Sequence, residues 1–235
     1  MGLKRDKQHA VNGGHKKRKT AAHDVVTRED QQDWILSGLH AIGAPLVCVL
    51  LVNLVFSLPG LCWTNPTEHV EFFAGMMSVT LAEVEEGRRC VAYDICYDDQ
   101  WMDILSAKGF IHALYQVMNL LPGSFLTLAP VCSSWVFMSR STTGRSRGCP
   151  LGNTAAPSTE KGNVMAARAA ILMFIACAKK VHIVMEQPRG SLLETHPALQ
   201  CLFKKVKWYK TNIQMRTYGA PTDKGTWLYS SHDPS

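Results

Sequence analysis

The sequence predicts an α/β protein built on a doubly wound, mostly parallel sheet. Strand-like and helix-like segments alternate four times between residues 67 and 206, which is the pattern of strand–helix–strand units. The strand-like segments are short and almost continuously apolar, as expected of parallel strands that are covered on both faces. Two further strand-like segments end the chain, and they predict an antiparallel C-terminal hairpin.

Apolar runs, and the residues that stop them, place each element. The predicted strands are VEFFAG (70–75), RRCVAYDI (88–95), FLTLAP (125–130), VHIVMEQ (181–187), WYKTNIQMRTYG (208–219) and TWLYSS (226–231). The predicted helices are SVTLAEVEEG (78–87), SAKGFIHALYQVMNLLPG (106–123), NVMAARAAILMFIACAKK (163–180) and SLLETHPALQCLFKKV (191–206). Glycine or Pro-Gly ends the first two helices, and a serine caps the second. The order predicts a Rossmann-like sheet for residues 67–235.

Composition sets limits on the function. The chain has 235 residues, of which 46% are hydrophobic, and this suffices for one domain with a proper core. Its net charge is +6, which permits a nucleic-acid partner without requiring one. The eight cysteines include no CxxC pair and no Cys/His cluster with zinc spacing. We therefore expect reduced thiols, an intracellular location and no metal site.

The N-terminal part divides into two segments. Residues 1–33 carry the basic clusters KRDK and HKKRK and predict a disordered basic tail. Residues 34–66 contain no Asp, Glu, Lys or Arg and predict an N-terminal apolar helix. Three interpretations of this helix stay open: a transmembrane or signal-anchor helix that contacts a membrane through 44–63, the apolar part of a targeting peptide, or a helix packed on the domain.

The residues that follow the predicted strands are the candidates for a binding site, because ligands bind at the carboxyl ends of strands in such sheets. Gly75 ends the first strand, and Asp94 lies nineteen residues later at the end of the second. An acidic residue at this spacing binds ribose hydroxyls in nucleoside-binding folds. A single glycine is poor support for pyrophosphate binding, so S-adenosylmethionine, which has a ribose and no phosphate, fits better. The alternative is a plain turn glycine and an aspartate that caps a helix.

Two reactive side chains follow the third and fourth strands. Cys132 stands in APVCSSW, just past the third strand, and Glu186 ends the fourth. A carboxylate at the end of a buried strand is costly unless it is paired or used in chemistry. Cys132 is a candidate nucleophile with a small core residue as the alternative, and Glu186 is a candidate acid with a salt bridge to a loop arginine as the alternative.

These motifs together resemble the cytosine-C5 DNA methyltransferase family, on the S-adenosylmethionine-dependent methyltransferase fold. The matching segments are EFFAGMMSVTLA, VAYDI, Asp103 in MDIL, Pro130-Val131-Cys132-Ser133, Glu186-Gln187-Pro188 and YGAPTDKGT (218–226). The resemblance implies that S-adenosylmethionine is bound by Phe73, Ala74, Gly75, Asp94, Ile95, Asp103 and Pro130. It also implies that the Cys132 thiolate attacks C6 of a flipped cytosine, while Glu186 bonds to N3 of the base.

The sequence also departs from the family's motifs. Val131 replaces a proline, Ser133 replaces a glutamine, and Gln187-Pro188 replaces Asn-Val. The segments expected to read the target and to complete the cofactor site have no match before Ser235. A methyltransferase acting on another substrate, and an inactive methyltransferase-fold scaffold, therefore stay open as alternatives.

Basic residues near these motifs are candidates for nucleic-acid contacts. Arg140, Arg145 and Arg147 lie in the loop SRSTTGRSRG, and Lys224 lies in the last motif. Such residues could clamp phosphates, and Trp135 could stack on a base. The alternatives are a solvated surface loop and a tryptophan that packs on the sheet.

Overall fold

A computed structural model describes residues 27–58 and 60–233. Most of the tail predicted over 1–33 lies outside the described residues. Its predicted end is wrong, because the first helix already begins at Arg28. Thr27 and Asp30 form a capping box there, in which each side chain accepts a hydrogen bond from the other residue's backbone N–H.

Seven α-helices and six strands make up the described part of the chain. The helices are α1 (Arg28–Ala41), α2 (Leu46–Ser57), α3 (Ser78–Glu85), α4 (Ala107–Met118), α5 (Arg140–Thr143), α6 (Pro157–Ala178) and α7 (Pro197–Phe203). The strands are β1 (Thr67–Phe72), β2 (Cys90–Tyr93), β3 (Leu120–Leu128), β4 (His182–Pro188), β5 (Tyr209–Gln214) and β6 (Gly225–Ser230).

The strands form one mixed sheet in the order β2-β1-β3-β4-β6-β5. The pairs β1–β2, β1–β3 and β3–β4 are parallel, whereas β6 runs antiparallel to both β4 and β5. The prediction of an α/β fold with a mostly parallel sheet and an antiparallel C-terminal hairpin is confirmed. The hairpin's last strand is inserted between β4 and β5, a position that the sequence pattern did not predict.

Helices lie on both faces of the sheet, but unequally. On the first face, Phe72 packs against Tyr93, whose hydroxyl donates to the carbonyl of Gly109 in α4. On the second face, Glu71 of β1 accepts hydrogen bonds from the backbone and hydroxyl of Thr80 in α3. Connections between parallel strands are right-handed. The connection from β1 to β2 through α3 and the connection from β2 to β3 through α4 run in opposite directions across the sheet, so the two helices lie on opposite faces.

The second face of the sheet is only partly covered, which differs from the prediction of strands buried on both faces. Burial alternates along β4, where Ile183 and Met185 are buried while His182, Val184 and Glu186 are half-buried. Phe125 of β3 is exposed. The apolar runs predicted burial on both faces because the residues on this face are themselves apolar or β-branched. The sequence therefore shows no clean alternation of apolar and polar residues.

The apolar segment 34–66 forms parts of two short helices that pack on the domain. A turn around Gly43, which has φ 66°, separates α1 from α2. Ile35, Leu39 and Val52 have no exposed surface and belong to the main hydrophobic core. Of the three interpretations of this segment, a helix packed on the domain describes the arrangement.

No N-terminal helix within the described residues has the length needed to span a membrane. The twelve residues of α2 extend about 18 Å, against a hydrocarbon thickness of about 30 Å. The helix that is long and apolar enough is α6, and 67% of its apolar window is buried inside the protein. It therefore has the surroundings of a core helix. The expectation of one N-terminal apolar helix over 34–66 is wrong, because this segment is divided between two short helices.

Proline positions account for two of the shifts in helix boundaries. The structure begins α6 at Pro157, six residues before its predicted start, and α7 at Pro197, six residues after its predicted start. Proline suits the first helical turn because its missing N–H would have no partner there. The helix predicted over 106–123 ends at Met118, because residues from Leu120 onward already pair with β1.

Candidate functional site

The chain reverses its direction across the sheet between β1 and β3, and a recess opens there. From β1 the chain crosses outward to β2, and from β2 it returns over β1 to β3. Ligands bind at such a switch point, beyond the carboxyl ends of the strands. The recess has a volume of about 110 Å³. Its lining residues are Phe73, Tyr93, Asp94, Ile95, Met102, Asp103, Ile104, Leu105, Val131 and Met165.

The loop after β1 has an unusual backbone. Phe73 and Met77 have φ values of 60° and 56°, in the left-handed region that side chains other than glycine rarely adopt. Gly75 between them has φ 50° and open space at its missing Cβ. Two hydrogen bonds hold the start of the loop, since Phe73 N and Ala74 N both donate to the carbonyl of Tyr93, at 2.9 and 3.3 Å. Backbone strain of this kind clusters at ligand sites.

Asp94 ties the loop after β1 to the loop after β2. Its Oδ2 accepts a hydrogen bond of 3.0 Å from Gly75 N, and its Oδ1 accepts one of 3.0 Å from Cys96 N. The Tyr97 hydroxyl donates to the carbonyl of Gly75 and adds a second link. A carboxylate has about four lone-pair sites, so Asp94 retains capacity to accept hydroxyl donors.

Asp103 is fixed on another wall of the recess. Its Oδ1 accepts from Leu105 N at 2.8 Å, and its carbonyl accepts from Ser106 N at 3.0 Å. Helix α4 approaches this turn so closely that a Cβ on Gly109 would lie 2.0 Å from the Asp103 carbonyl oxygen. The glycine therefore lets the helix hold the carboxylate in place.

The recess suits a planar ring with polar edges. Seven of its ten lining residues have apolar side chains, while Asp94 and Asp103 supply the carboxylates. Its volume of about 110 Å³ is below that of the ~150 Å³ apolar cavity that holds benzene, so it encloses part of a ring and not a whole purine. A purine could insert one edge, with the rest of the ring and its ribose at the rim near Asp94. Phe73, Asp94, Ile95 and Asp103 line the recess as candidate cofactor residues.

Other predicted cofactor residues lie beside the recess and not in its wall. Ala74 is buried within the strained loop, and Gly75 contributes the backbone N–H that Asp94 binds. Pro130 is buried, and its carbonyl accepts a 2.6 Å hydrogen bond from Gln187 Nε2. Val131 lines the recess in its place, which the sequence reasoning missed.

Cys132 follows β3, and Glu186 lies near the carboxyl end of the neighbouring strand β4. In the β3–β4 register Leu128 lies opposite Met185, so Glu186 comes one residue further along, beside the exit from β3. Cys132 is half-buried, and its carbonyl accepts from Trp135 N at 2.8 Å. The bond from Gln187 to Pro130 ties the two strand exits together.

The partner of Glu186 differs from the loop arginine that was considered as its alternative role. Glu186 Oε1 lies 3.4 Å from the Lys224 ammonium, in the segment just before β6. Both side chains are partly exposed, so this ion pair adds little to stability. Lys224, predicted as a phosphate contact, therefore lies beside the predicted catalytic carboxylate.

Arg145 is a buried structural residue, and its predicted role in clamping a phosphate is wrong. Only 2% of it is exposed. Its guanidinium stacks 3.4 Å from the centre of the Trp135 ring and donates to the carbonyls of Pro150 and Thr159 and to the side chain of Asn163. Trp135 is 1% exposed and cannot stack on a base. The two residues pin the loop to the start of α6.

The remaining basic candidates do reach the surface. Arg147 is exposed, and Arg140 is half-buried and donates to the carbonyl of Gly190 at 3.3 Å. The Arg140 guanidinium also lies 5.3 Å from the centre of the exposed Phe137 ring. A cation over an exposed aromatic ring is a feature of surfaces that bind single-stranded nucleic acid.

Sequence reasoning also missed Met165 and Met102 in the recess wall. Met165 comes from α6, far along the chain from the loops that it faces, and nothing local in the sequence marks it. Met102 directly precedes Asp103, so the sequence located this segment of the recess but did not identify Met102 as a lining residue.

Comparison with known protein families yields no matching family model, and comparison with curated proteins yields no match. The geometry of the recess and of the residues around it is therefore the basis for any assignment of function.

Proposed function

We propose that this chain is an S-adenosylmethionine-binding, methyltransferase-like domain that acts on cytosine in nucleic acid. The observation that carries the proposal is the hydrogen bond from Gly75 N to Asp94 Oδ2, which joins two loops beside a largely apolar recess that holds two carboxylates. The recess lies where the chain changes direction across the sheet. Helices on both faces support the finer interpretation of a Rossmann-like, doubly wound sheet.

The donors and acceptors at the recess fit this cofactor. Asp94 can accept the ribose hydroxyls, and Asp103 can accept the exocyclic amine of the adenine. The carboxylates also favour a ligand with a positive charge and oppose the phosphates of a nucleotide. When bound, S-adenosylmethionine supplies an electrophilic methyl group on its sulfonium. Phe73, Ile95 and Val131 would exclude water from the ring.

Cys132 and Glu186 would act on the other side of the crevice. The thiolate of Cys132 would add to C6 of the cytosine and open the C5–C6 double bond, while Glu186 would hold a proton at N3. After C5 has taken the methyl group, loss of the C5 proton would restore the double bond and release the Cys132 thiolate. Access to a base inside a duplex requires that the base leave the stack. The basic residues Arg140, Arg147 and Lys224 lie around this side and would contact phosphates.

An inactive binding protein is the second candidate. Its support is the arrangement after β4, where Glu186 is paired with Lys224 and Gln187 is bonded to both Pro130 and Ser191. Such a domain would bind the cofactor and nucleic acid without transferring the methyl group.

Transfer of a labelled methyl group separates these candidates. The 235-residue chain is incubated with labelled S-adenosylmethionine and cytosine-containing DNA or RNA, beside the Cys132→Ser variant and a Cys149→Ser control. We expect transfer by the parent and by Cys149→Ser, whose cysteine is exposed, and none by Cys132→Ser. Transfer that survives Cys132→Ser would exclude the cytosine mechanism. Cofactor binding without transfer by the parent would favour the inactive candidate.

A further inference from the structure

Helix α2 presents an apolar stripe to solvent. Leu46, Val47, Leu50, Leu54 and Leu58 are between 36% and 69% exposed. Leu46, Leu50 and Leu54 follow one another at intervals of four residues, so their side chains lie along one side of the helix, and Leu58 follows directly after its end. The helix contains no charged residue. A contiguous apolar strip of this kind marks an interaction surface.

A cationic pocket lies at the C-terminal end of the same helix. It has a volume of about 190 Å³ and is lined by Arg28, Gln31, Val55, Phe56, Gly60, Leu61, Pro122, Ala178, Lys179 and Lys180. Three of these residues are basic, and no carboxylate is among them. Gln31 is polar, and the rest of the wall is mostly apolar and comes from α2, the loop after it, β3 and the end of α6.

Lys179 is the most unusual of these cations. It is 4% exposed, and burial lowers the pKa of its ammonium group. The ammonium donates to the carbonyl of Leu61 at 2.7 Å. An ammonium has three donors, so it keeps capacity for an anion. Arg28 bonds to the carbonyl of Phe56 and lies over its ring, which positions a second cation at the pocket.

We propose that this face docks on an anionic phospholipid bilayer, with α2 lying in the plane of the interface and a lipid phosphate in the cationic pocket. Binding at a membrane interface grows with the apolar area that is buried and with the attraction of cations to anionic lipids, and this face offers both. The basic clusters of residues 1–26, which hold seven Lys/Arg against two Asp/Glu, precede this face along the chain.

The charges favour a bilayer over a second copy of this chain. In a twofold contact through α2, the same surface of both copies would meet, which would bring the pocket cations of the two copies together, and the pocket itself has no carboxylate to match them. Exposed carboxylates do occur on α1, at Glu29, Asp30 and Asp33. None of them lines the pocket, and Asp30 is engaged by Thr27 in the capping box.

Sedimentation with lipid vesicles tests the proposal. The 235-residue chain is mixed with vesicles of phosphatidylcholine alone or with about a third phosphatidylserine. The variants are Leu50→Glu on the stripe, Lys180→Gln in the pocket and a Leu81→Glu control on α3. Leu50 and Leu81 are matched, at 57% and 51% exposed.

We expect the parent chain to bind tightly to the vesicles that contain phosphatidylserine and not to those of pure phosphatidylcholine. Binding to the anionic vesicles should be at least tenfold weaker for Leu50→Glu and about fivefold weaker for Lys180→Gln. Leu81→Glu should bind like the parent chain. Circular dichroism of each variant ensures that a loss of binding is not a loss of fold. These residues lie at the amino ends of the strands, so methyl-donor binding at the opposite edge should not change.

Three results would overturn the proposal. Equal binding to both kinds of vesicle would remove the role of the anionic headgroup, and equal loss by Leu81→Glu would remove the role of α2. A dimer in light scattering that Leu50→Glu dissociates would assign the stripe to a second copy.

Discussion

The backbone N–H of Gly75 donates a 3.0 Å hydrogen bond to Oδ2 of Asp94, nineteen residues later in the chain. The bond holds the strained loop after β1 against the end of β2, beside a recess that also contains Asp103. In the proposed cofactor site Asp94 would have two roles, because the carboxylate that fixes the loop has capacity left to accept ribose hydroxyls. The proposed cofactor site depends on this dual use.

Substitution of Gly109 tests how the recess is held. Gly109→Ala places a Cβ 2.0 Å from the Asp103 carbonyl oxygen, so the turn that carries Asp103 must move. We expect a loss of about 1–3 kcal/mol in the free energy of unfolding and weaker cofactor binding. Denaturant unfolding measures the first effect and calorimetry the second.

The control is Gly148→Ala, because a Cβ there meets no atom within 4 Å and Gly148 has no positive φ. It should leave both measurements unchanged. A Gly109→Ala variant as stable as the parent chain would show that Asp103 is not packed against α4 as described.

Removal of the Arg145 guanidinium tests its structural role. Arg145→Leu leaves the carbonyls of Pro150 and Thr159 and the amide of Asn163 without their donor. We expect a loss of about 2–4 kcal/mol in the free energy of unfolding, measured with urea. Arg147→Leu, at an exposed position, should change stability by less than about 0.5 kcal/mol. Equal, small effects of the two substitutions on the free energy of unfolding would contradict the structural role of Arg145 and favour the exposed phosphate contact predicted from sequence.

His196 should make stability depend on pH. Burial, with a smaller effect of Arg145, lowers the pKa of its imidazole to about 4, from 6.5. Between these values the unfolded chain binds more protons than the folded chain, so stability rises with pH and is lost as pH falls from 6.5 towards 4. The full effect is on the order of 3 kcal/mol.

His196→Asn isolates this effect. Asparagine can replace the cap that His196 provides by accepting a hydrogen bond from Ala198 N. Urea unfolding between pH 4 and 6.5 should show a shallower pH slope for the variant. Some slope should stay, because burial also lowers the pKa of His69. An unchanged slope would mean that His196 is not buried as a neutral group.

The sequence predicted those parts of the fold that local patterns determine. The apolar run ending in Phe73-Ala74-Gly75 and the acid Asp94 in VAYDI located two loops of the recess, because strand ends in a parallel sheet meet at one edge. The antiparallel direction of the last hairpin was also predictable. Its insertion between β4 and β5 was not, since strand order depends on long-range pairing.

Burial was harder to predict than position. Arg145 and Trp135 lie in a stretch rich in serine, glycine and arginine, which is typical of a solvated loop. Their burial follows from the cation–π contact between them and from the carbonyls around the guanidinium, and no local pattern encodes these. The apolar segment 34–66 was ambiguous for a similar reason, because helices packed on a core and a membrane helix have the same composition.

Calorimetric titration of the 235-residue chain with S-adenosylmethionine tests the proposed cofactor site most directly. We expect saturable binding by the parent chain and by the Asp99→Ala control, binding at least tenfold weaker by Asp94→Ala, and poor competition by ATP. Absence of heat from the folded parent chain at saturating cofactor, or equal affinity of the parent chain and Asp94→Ala, would contradict the account.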